Sequence, residues 1–287
     1  MNPVLRWLVL NLFILPLRPA RSAALYRKIW TDKGSPLLIT TLEQARGLDE
    51  RLRGSARVEV GMRYGNPSIP SAIEKLCASG ADRILVFPLF PQYAAPTTAS
   101  VHDAVSLHLR GRRVVPVIRH VPSFYRHPAY IGALVASVRE DLARLPWKPE
   151  KLIVSFHGVP RRYVESGDPY RSHAEETTRL LAAELGLGPA EHELSFQSRL
   201  GREEWLQPYT ERRLEELARS GLRRIAVVCP GFVADCVETI DEIGREGRRR
   251  FLEAGGENMH LVPCLNVRPA WIDAMAAIAR EELSGWI

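Results

Sequence analysis

Lysine is scarce: only five of the 39 basic residues are Lys. Lys-rich tails of the kind that coat nucleic acid are therefore absent, and nucleic acid is not expected as a partner. The four cysteines, Cys77, Cys229, Cys236 and Cys264, lie far apart with no CxxC pair. That spacing excludes a zinc knuckle, and 287 residues exceed any small disulfide-stapled secreted fold. Reduced thiols in a cytoplasmic protein are the expectation. Long hydrophobic runs are also missing. The longest, Val4–Leu17, is broken by Arg6 and Asn11 and meets Pro16, short of the ~20 apolar residues a membrane-spanning helix needs. An interfacial or core-packed helix suits it better, and no signal peptide is visible. No GxGxxG or GxxxxGK loop cradles a phosphate, and Ser155 has no nucleophile elbow around it.

What is present reads as ordinary globular protein, 46% hydrophobic and 25% charged, with a net charge of +6. That mild excess, nearly all Arg, suits a substrate carrying carboxylates or an anionic lipid. The length suggests two domains. Short β-branched runs at Val58–Arg63, Arg83–Leu89, Val114–Arg119, Leu152–Phe156, Glu193–Gln197, Ile225–Cys229 and His260–Pro263 alternate with stretches of helical period. The helical stretches are Ser68–Ala78, Thr97–Leu109, Ala129–Leu145, Tyr170–Leu185 and Arg202–Ala218. The expected class is α/β: two similar Rossmann-like halves, each a parallel sheet flanked by helices, with a cleft between them. Pro146–Trp147–Lys148–Pro149 is the linker candidate, giving halves of residues 1–146 and 147–287. The last helix is expected to pack back on the first half. The second half offers four strands and the first only three, so the first half looks to lack the strand that usually sits centrally.

Three groups of residues could carry chemistry. The run Leu152–Phe156 leads straight into His157–Gly158–Val159–Pro160, and open α/β sheets bind ligands at the carboxyl ends of their strands. A His there serves proton transfer or metal ligation, or simply bonds a backbone carbonyl. After Ile225–Cys229 comes Pro230–Gly231–Phe232, then Asp235, Glu238 and Glu242 at i, i+3 and i+7. On an α-helix that spacing shares one face, where repulsion is relieved by a cation or a shared proton. The macrodipole alone would favour the first two acids but not Glu242, a turn further in. Third, Arg63–Tyr64 and Phe87–Pro88–Leu89–Phe90–Pro91–Gln92–Tyr93 end the first half's strands. Phe87 suits the core. Phe90 and Tyr93, with Trp205 from a later segment, suit the wall of a pocket for a flat, apolar, anionic ligand.

These stretches together resemble the ferrochelatases. The matching segments are Ser35–Pro36 after Tyr26–Arg27–Lys28–Ile29, MRYGNPSI at 62–69 and FPLFPQYAAPTTAS at 87–100. They continue with SFHGVP at 155–160, GDPY at 167–170, FQSRLGREEWLQPYT at 196–210 and CPGFVADCVETIDEI at 229–243. The resemblance implies insertion of Fe2+ into protoporphyrin IX, the last step of haem biosynthesis, by porphyrin distortion and pyrrole proton abstraction. It implies His157 and Glu238 as catalytic and metal-facing residues, with Asp235 and Glu242 as an acidic track for metal or protons. Arg18 and Ser35 fall where the family contacts the propionates; Arg63, Tyr64, Phe90, Trp205 and Phe232 fall on pocket walls. Fe2+ enters as substrate, no tightly bound cofactor is expected, and the wide spacing of Cys229 and Cys236 argues against an iron–sulfur cluster.

The chain departs from the family pattern in two places. It shows no opening strand with a Leu-Gly-Thr-Pro-like loop, which points first to a misassigned start codon and second to a truncated, weakly active or unfolded product. Cys236 stands where some members have His. The expected setting is cytoplasmic, as monomer or weak homodimer, with peripheral contact at the inner membrane face through the Trp7-bearing segment. The rival readings are a chelatase for cobalt, nickel or another tetrapyrrole such as coproporphyrin III, a porphyrin binder without catalysis, and a generic α/β anion-binding protein.

Overall fold

Leu152–Phe156 is buried at every position, as expected of a central parallel strand covered on both faces. The computed structural model describes Ala23 and residues 25–287; Arg18 and the Trp7-bearing segment lie outside the described residues. In chain order the elements are α1 (Pro36–Arg51), α2 (Ile69–Ala78), β1 (Arg83–Val86), a π-helical turn (Ala95–Ala99) running into α3 (Ser100–Leu109), β2 (Val117–His120) and α4 (Pro128–Ala143). Then follow β3 (Lys151–His157), α5 (Arg161–Glu165), α6 (Tyr170–Leu185), β4 (His192–Gln197), α7 (Thr210–Arg219) and β5 (Arg224–Val228). A π-helix (Glu238–Gly247), α8 (Arg248–Glu253), β6 (Asn258–Leu261) and α9 (Pro269–Glu282) complete the fold.

Local chemistry sets the boundaries. Proline opens α1, α2, α4 and α9 in their first turns, where its missing N–H costs nothing. Gly186, at φ 72°, ends α6 in the left-handed conformation. Both sheets are wholly parallel: β1 pairs with β2, and the second sheet runs β4-β3-β5-β6. The order places β3 and β5 side by side, so the loops after them share one crevice.

Two expected elements differ. Val58–Arg63 forms no strand ladder; only Met62 bridges to Ser68. Val58 gives its backbone N–H to the Asp49 carboxylate at 2.9 Å, and a β-branched run without a ladder partner is not a strand. The helix expected from Arg202 begins only at Thr210, because Pro208 lacks an N–H and would clash with a preceding helical turn. Trp205 is thereby left on a loop, bridged to Pro160.

The main core crosses the midline of the chain. Val121, Phe124, Tyr130 and Leu134 pack in one cluster with Val154, Phe156, Val228 and Trp271. α9 packs on α4 and α1, and Arg51 pairs with Asp273 at 2.9 Å. A smaller cluster around Ile73, Ile84 and Val105 serves the first sheet alone.

Candidate functional site

His157 is the last residue of β3, half-buried, and has two aromatic rings near it. The Trp205 ring centroid is 6.2 Å from that of His157 and the Phe232 centroid 6.4 Å, both tilted. Its Nδ1 lies 2.7 Å from the Gly158 carbonyl oxygen. A carbonyl can only accept, so Nδ1 carries a proton, and in the neutral ring that leaves the lone pair on Nε2. The backbone bond expected of a strand-end histidine is present, and it does not use the second ring nitrogen. Gly158 is required by close approach. A Cβ there would lie 3.0 Å from the Gln197 carbonyl oxygen and 3.2 Å from Trp205.

The acidic run is not one α-helical face. The helix starts after Asp235, and Glu238–Gly247 winds as a π-helix, whose i→i+5 turn is wider. Asp235 sits ahead of it as a tie-point. Its carboxylate accepts from Thr239 Oγ1 at 2.9 Å, Asn266 Nδ2 at 2.6 Å and the Cys264 N–H at 3.3 Å. Glu242 accepts from both the N–H and the hydroxyl of Ser198 at 2.6 Å each. Burial pushes the Glu242 carboxyl above the usual carboxylate range; the Ser198 bonds and His157 pull it down, and Glu238 pushes it up again. Glu242 thus sits within electrostatic reach of both His157 and Glu238. Among the described residues no three His, Cys, Asp or Glu side chains converge as a ready-made metal cage.

The other expected residues are more dispersed. Ser35 precedes α1 without capping it by its side chain. Arg63 donates from Nε to the Ser100 carbonyl at 2.9 Å and lies 4.6 Å over the ring of Tyr64, which is 75% exposed. Phe90 packs against the first sheet's own cluster. Tyr93 is held through its N–H by His173 Nδ1 at 3.2 Å. Asp168 of the GDPY stretch accepts from the Ala95 N–H at 2.7 Å. These two bonds tie the segment after β1 to α6 and to the turn that leads into it.

Sequence reasoning passed over several residues. Tyr26 stands beside Glu238 and Cys236, and its hydroxyl is pushed up by burial first and by those two groups second. Lys28 pairs with the buried Asp241 carboxylate at 3.4 Å. Gln197, buried at the end of β4, donates from Nε2 to the Glu238 carbonyl at 2.8 Å. The signal for Gln197 was a polar residue in a buried strand, which must find partners.

The ferrochelatase family model matches residues 1–283. The ferrochelatase of Azoarcus sp. (strain BH72) is 51% identical over 284 residues, covering 98% of this chain and 78% of that one. The ferrochelatase of Herminiimonas arsenicoxydans is 49% identical over 288 residues, 99% of this chain and 77% of that one. Among solved structures, SirB from Bacillus subtilis with Fe3+ has a TM-score of 0.63 at 18% identity, over 88% of this chain and 94% of that chain. CbiX, the terminal enzyme of siroheme biosynthesis in denitrifying bacteria, has a TM-score of 0.55 at 16% identity, over 85% and 90%. At such identities these two structures share the fold alone, the two-half Rossmann-like arrangement of the chelatases. With the family match running through both halves and both crevice loops, the chain belongs to the ferrochelatase family, the enzymes that insert ferrous iron into porphyrin to make haem.

Proposed function

We propose that the crevice at the carboxyl ends of β3 and β5 inserts Fe2+ into protoporphyrin IX, with His157 Nε2 taking the pyrrole protons. The observation that carries this reading is the His157 environment: one nitrogen's proton is committed to Gly158, and Trp205 and Phe232 flank the ring. A flat porphyrin keeps its nitrogen lone pairs in plane and holds two N–H protons. Gripping the macrocycle between aromatic walls so that it puckers turns those lone pairs toward an incoming ion, so that binding energy supports distortion. Four Fe–N bonds form as the two N–H bonds break, and the two protons leave one after the other through His157. Glu238 meets the metal from the start of the π-helix, and Glu242, with its raised affinity for a proton, continues the path outward. Asp235 supports that path by anchoring the start of the π-helix.

Phe90, Tyr93 and Tyr64 complete the wall in this reading, and Arg18, Ser35 and Arg63 the propionate rim. Arg63 uses Nε for Ser100, which leaves its terminal nitrogens for a carboxylate. Iron is substrate, and no resident cofactor or iron–sulfur cluster is part of the proposal: burial pushes the Cys229 and Cys236 thiols up, away from the thiolate a cluster needs. The boundary between the halves falls in Pro146–Pro149. The enzyme works in the cytoplasm as monomer or weak dimer, against the inner membrane face. No described helix is long and apolar enough to cross a membrane.

The test is Fe2+ insertion into protoporphyrin IX and into coproporphyrin III, followed by product absorbance, for the parent and His157→Ala. Turnover that is faster with protoporphyrin and lost in the variant is the expected result. Porphyrin binding without turnover in the parent would instead make it a non-catalytic binder.

A further inference from the structure

One buried side chain touches both sides of the crevice. Gln197 is the last residue of β4 and stands opposite His157 in the β3–β4 register. Its backbone carbonyl accepts the Gly158 N–H at 2.8 Å, which fixes the turn immediately after His157. Its side-chain Nε2 donates to the Glu238 carbonyl at 2.8 Å, the first residue of the π-helix. The amide cannot be reversed without loss, because Oε1 accepts from the Ser155 hydroxyl at 2.7 Å. That hydroxyl is held in turn by Thr210 Oγ1 at 2.8 Å, and Thr210 by the Ser195 hydroxyl at 2.8 Å. Gln197, Ser155, Ser195 and Thr210 are all buried, so this chain of hydroxyls is shielded from solvent and points the amide one way.

The next residue repeats the stitch. Ser198 lies in the left-handed region at φ 65°, a conformation a non-glycine residue keeps only when its surroundings hold it. The Glu242 carboxylate does so through the N–H and the hydroxyl. Two consecutive residues at the end of β4 therefore bond two positions on one side of the π-helix.

We propose that Gln197 is a positioning residue for metal insertion: its backbone holds the His157 turn, its amide holds Glu238, and together they set the gap between those two side chains. This rests on the reading of His157 and Glu238 as the facing pair. It touches neither porphyrin nor iron. A displacement of about 1 Å at a reacting group can cost about a hundredfold in rate, whereas porphyrin affinity, set by the aromatic walls, depends little on that gap.

Gln197→Met fills the same volume without either hydrogen bond, and Gln197→Glu keeps the acceptor for Ser155 but loses the donor to Glu238. Both are measured for Fe2+ insertion into protoporphyrin IX beside the parent, His157→Ala and Glu238→Gln. The expected result is a kcat lowered about ten- to a hundredfold in both Gln197 variants, with porphyrin KM within about threefold of the parent and porphyrin still bound. An unchanged kcat, or a KM rise equal to the kcat loss, overturns the proposal. Should the Gln197 variants fail to fold, Ser155→Ala leaves only the weak Cys229 thiol donor, 3.5 Å away, on the amide oxygen, and it must lower kcat at constant KM or the proposal falls. If His157→Ala and Glu238→Gln keep full turnover, the site reading itself fails, whatever the Gln197 variants do. If those two lose turnover and the Gln197 variants do not, only this inference fails.

Discussion

Gly158 and Gly231 both follow strands that open the crevice, neither has a positive φ, and their surroundings predict opposite responses to one added methyl group. At Gly158 the new Cβ would meet the Gln197 carbonyl oxygen at 3.0 Å and Trp205 Cε3 at 3.2 Å. Neither neighbour is a free chain end: the carbonyl already accepts the Gly158 N–H, and Trp205 is bridged to Pro160. Relief requires the β3–β4 turn to open by a few tenths of an ångström, the kind of overpacking that costs about 1–3 kcal/mol. At Gly231 the same atom would find Phe156 at 3.5 Å, Gln92 at 3.6 Å and Tyr170 at 3.8 Å, ordinary contacts. There Ala gains about 0.4–1 kcal/mol by restricting the unfolded chain. Gly158→Ala should therefore melt below the parent and Gly231→Ala at or slightly above it, with a separation of about 2 kcal/mol read from urea unfolding. The same displacement moves His157, so Gly158→Ala should also lose kcat for iron insertion while Gly231→Ala keeps it. Equal stabilities, or a larger loss at Gly231, would refute the steric reasoning.

Three further outcomes concern the carboxylates and His157. Glu242 has its proton affinity raised on folding, so the native state binds more protons than the unfolded one between the ordinary carboxylate range and the raised value. Stability then falls as pH rises through that window, by about 1.4 kcal/mol for each tenfold gain in proton affinity on folding. Glu242→Gln cannot titrate, so its stability relative to the parent should improve from pH 4 to 8; urea curves showing a growing deficit would contradict this. Asp235→Ala removes three bonds that tie the loop after β5 to the π-helix and to the segment after β6 and leaves buried donors unpaired, costing about 2–4 kcal/mol. Its loss should appear in melting temperature rather than in KM for Fe2+. His157→Ala should abolish insertion while porphyrin fluorescence quenching still reports binding.

The second half of the fold was legible because its strands are self-declaring: Ile225–Val228 is a continuous apolar run and Leu152–Phe156 is apolar but for Ser155. Tyr170–Leu185 was bounded correctly, since Gly186 ends it. Val58–Arg63 misled because alternation reports a propensity, whereas a strand needs a neighbour to accept its hydrogen bonds. The acidic run misled for a related reason. Spacing of i, i+3 and i+7 presupposes 3.6 residues per turn, and no local composition distinguishes a π-helix from an α-helix. His157 and Glu238 drew notice through their places at the end of β3 and after β5, but Gln197 was quoted only as part of a motif. Its importance lies in which carbonyl its amide reaches, a long-range fact the local pattern does not contain.

The cross-ties between the halves say how the crevice resists its own substrate. A pocket that bends a macrocycle must be stiffer than the ring it bends, or the strain relaxes into the protein. The loop after β5 carries Phe232, and two buried side chains from the first half hold it in place. Gln44 on α1 donates from Nε2 to the Val233 carbonyl at 2.9 Å and to the Asn266 carbonyl at 2.8 Å. Tyr130 on α4 donates its hydroxyl to the Pro230 carbonyl at 2.6 Å. With Gln197 fixing the turn after β3 and the π-helix start, the backbone on both sides of His157 is bonded to buried groups on other elements. The continuous core beneath is close-packed and transmits load rather than yielding to it. In the proposed mechanism the two halves act on a bound porphyrin as one frame, and the strain falls on the ring where iron must enter.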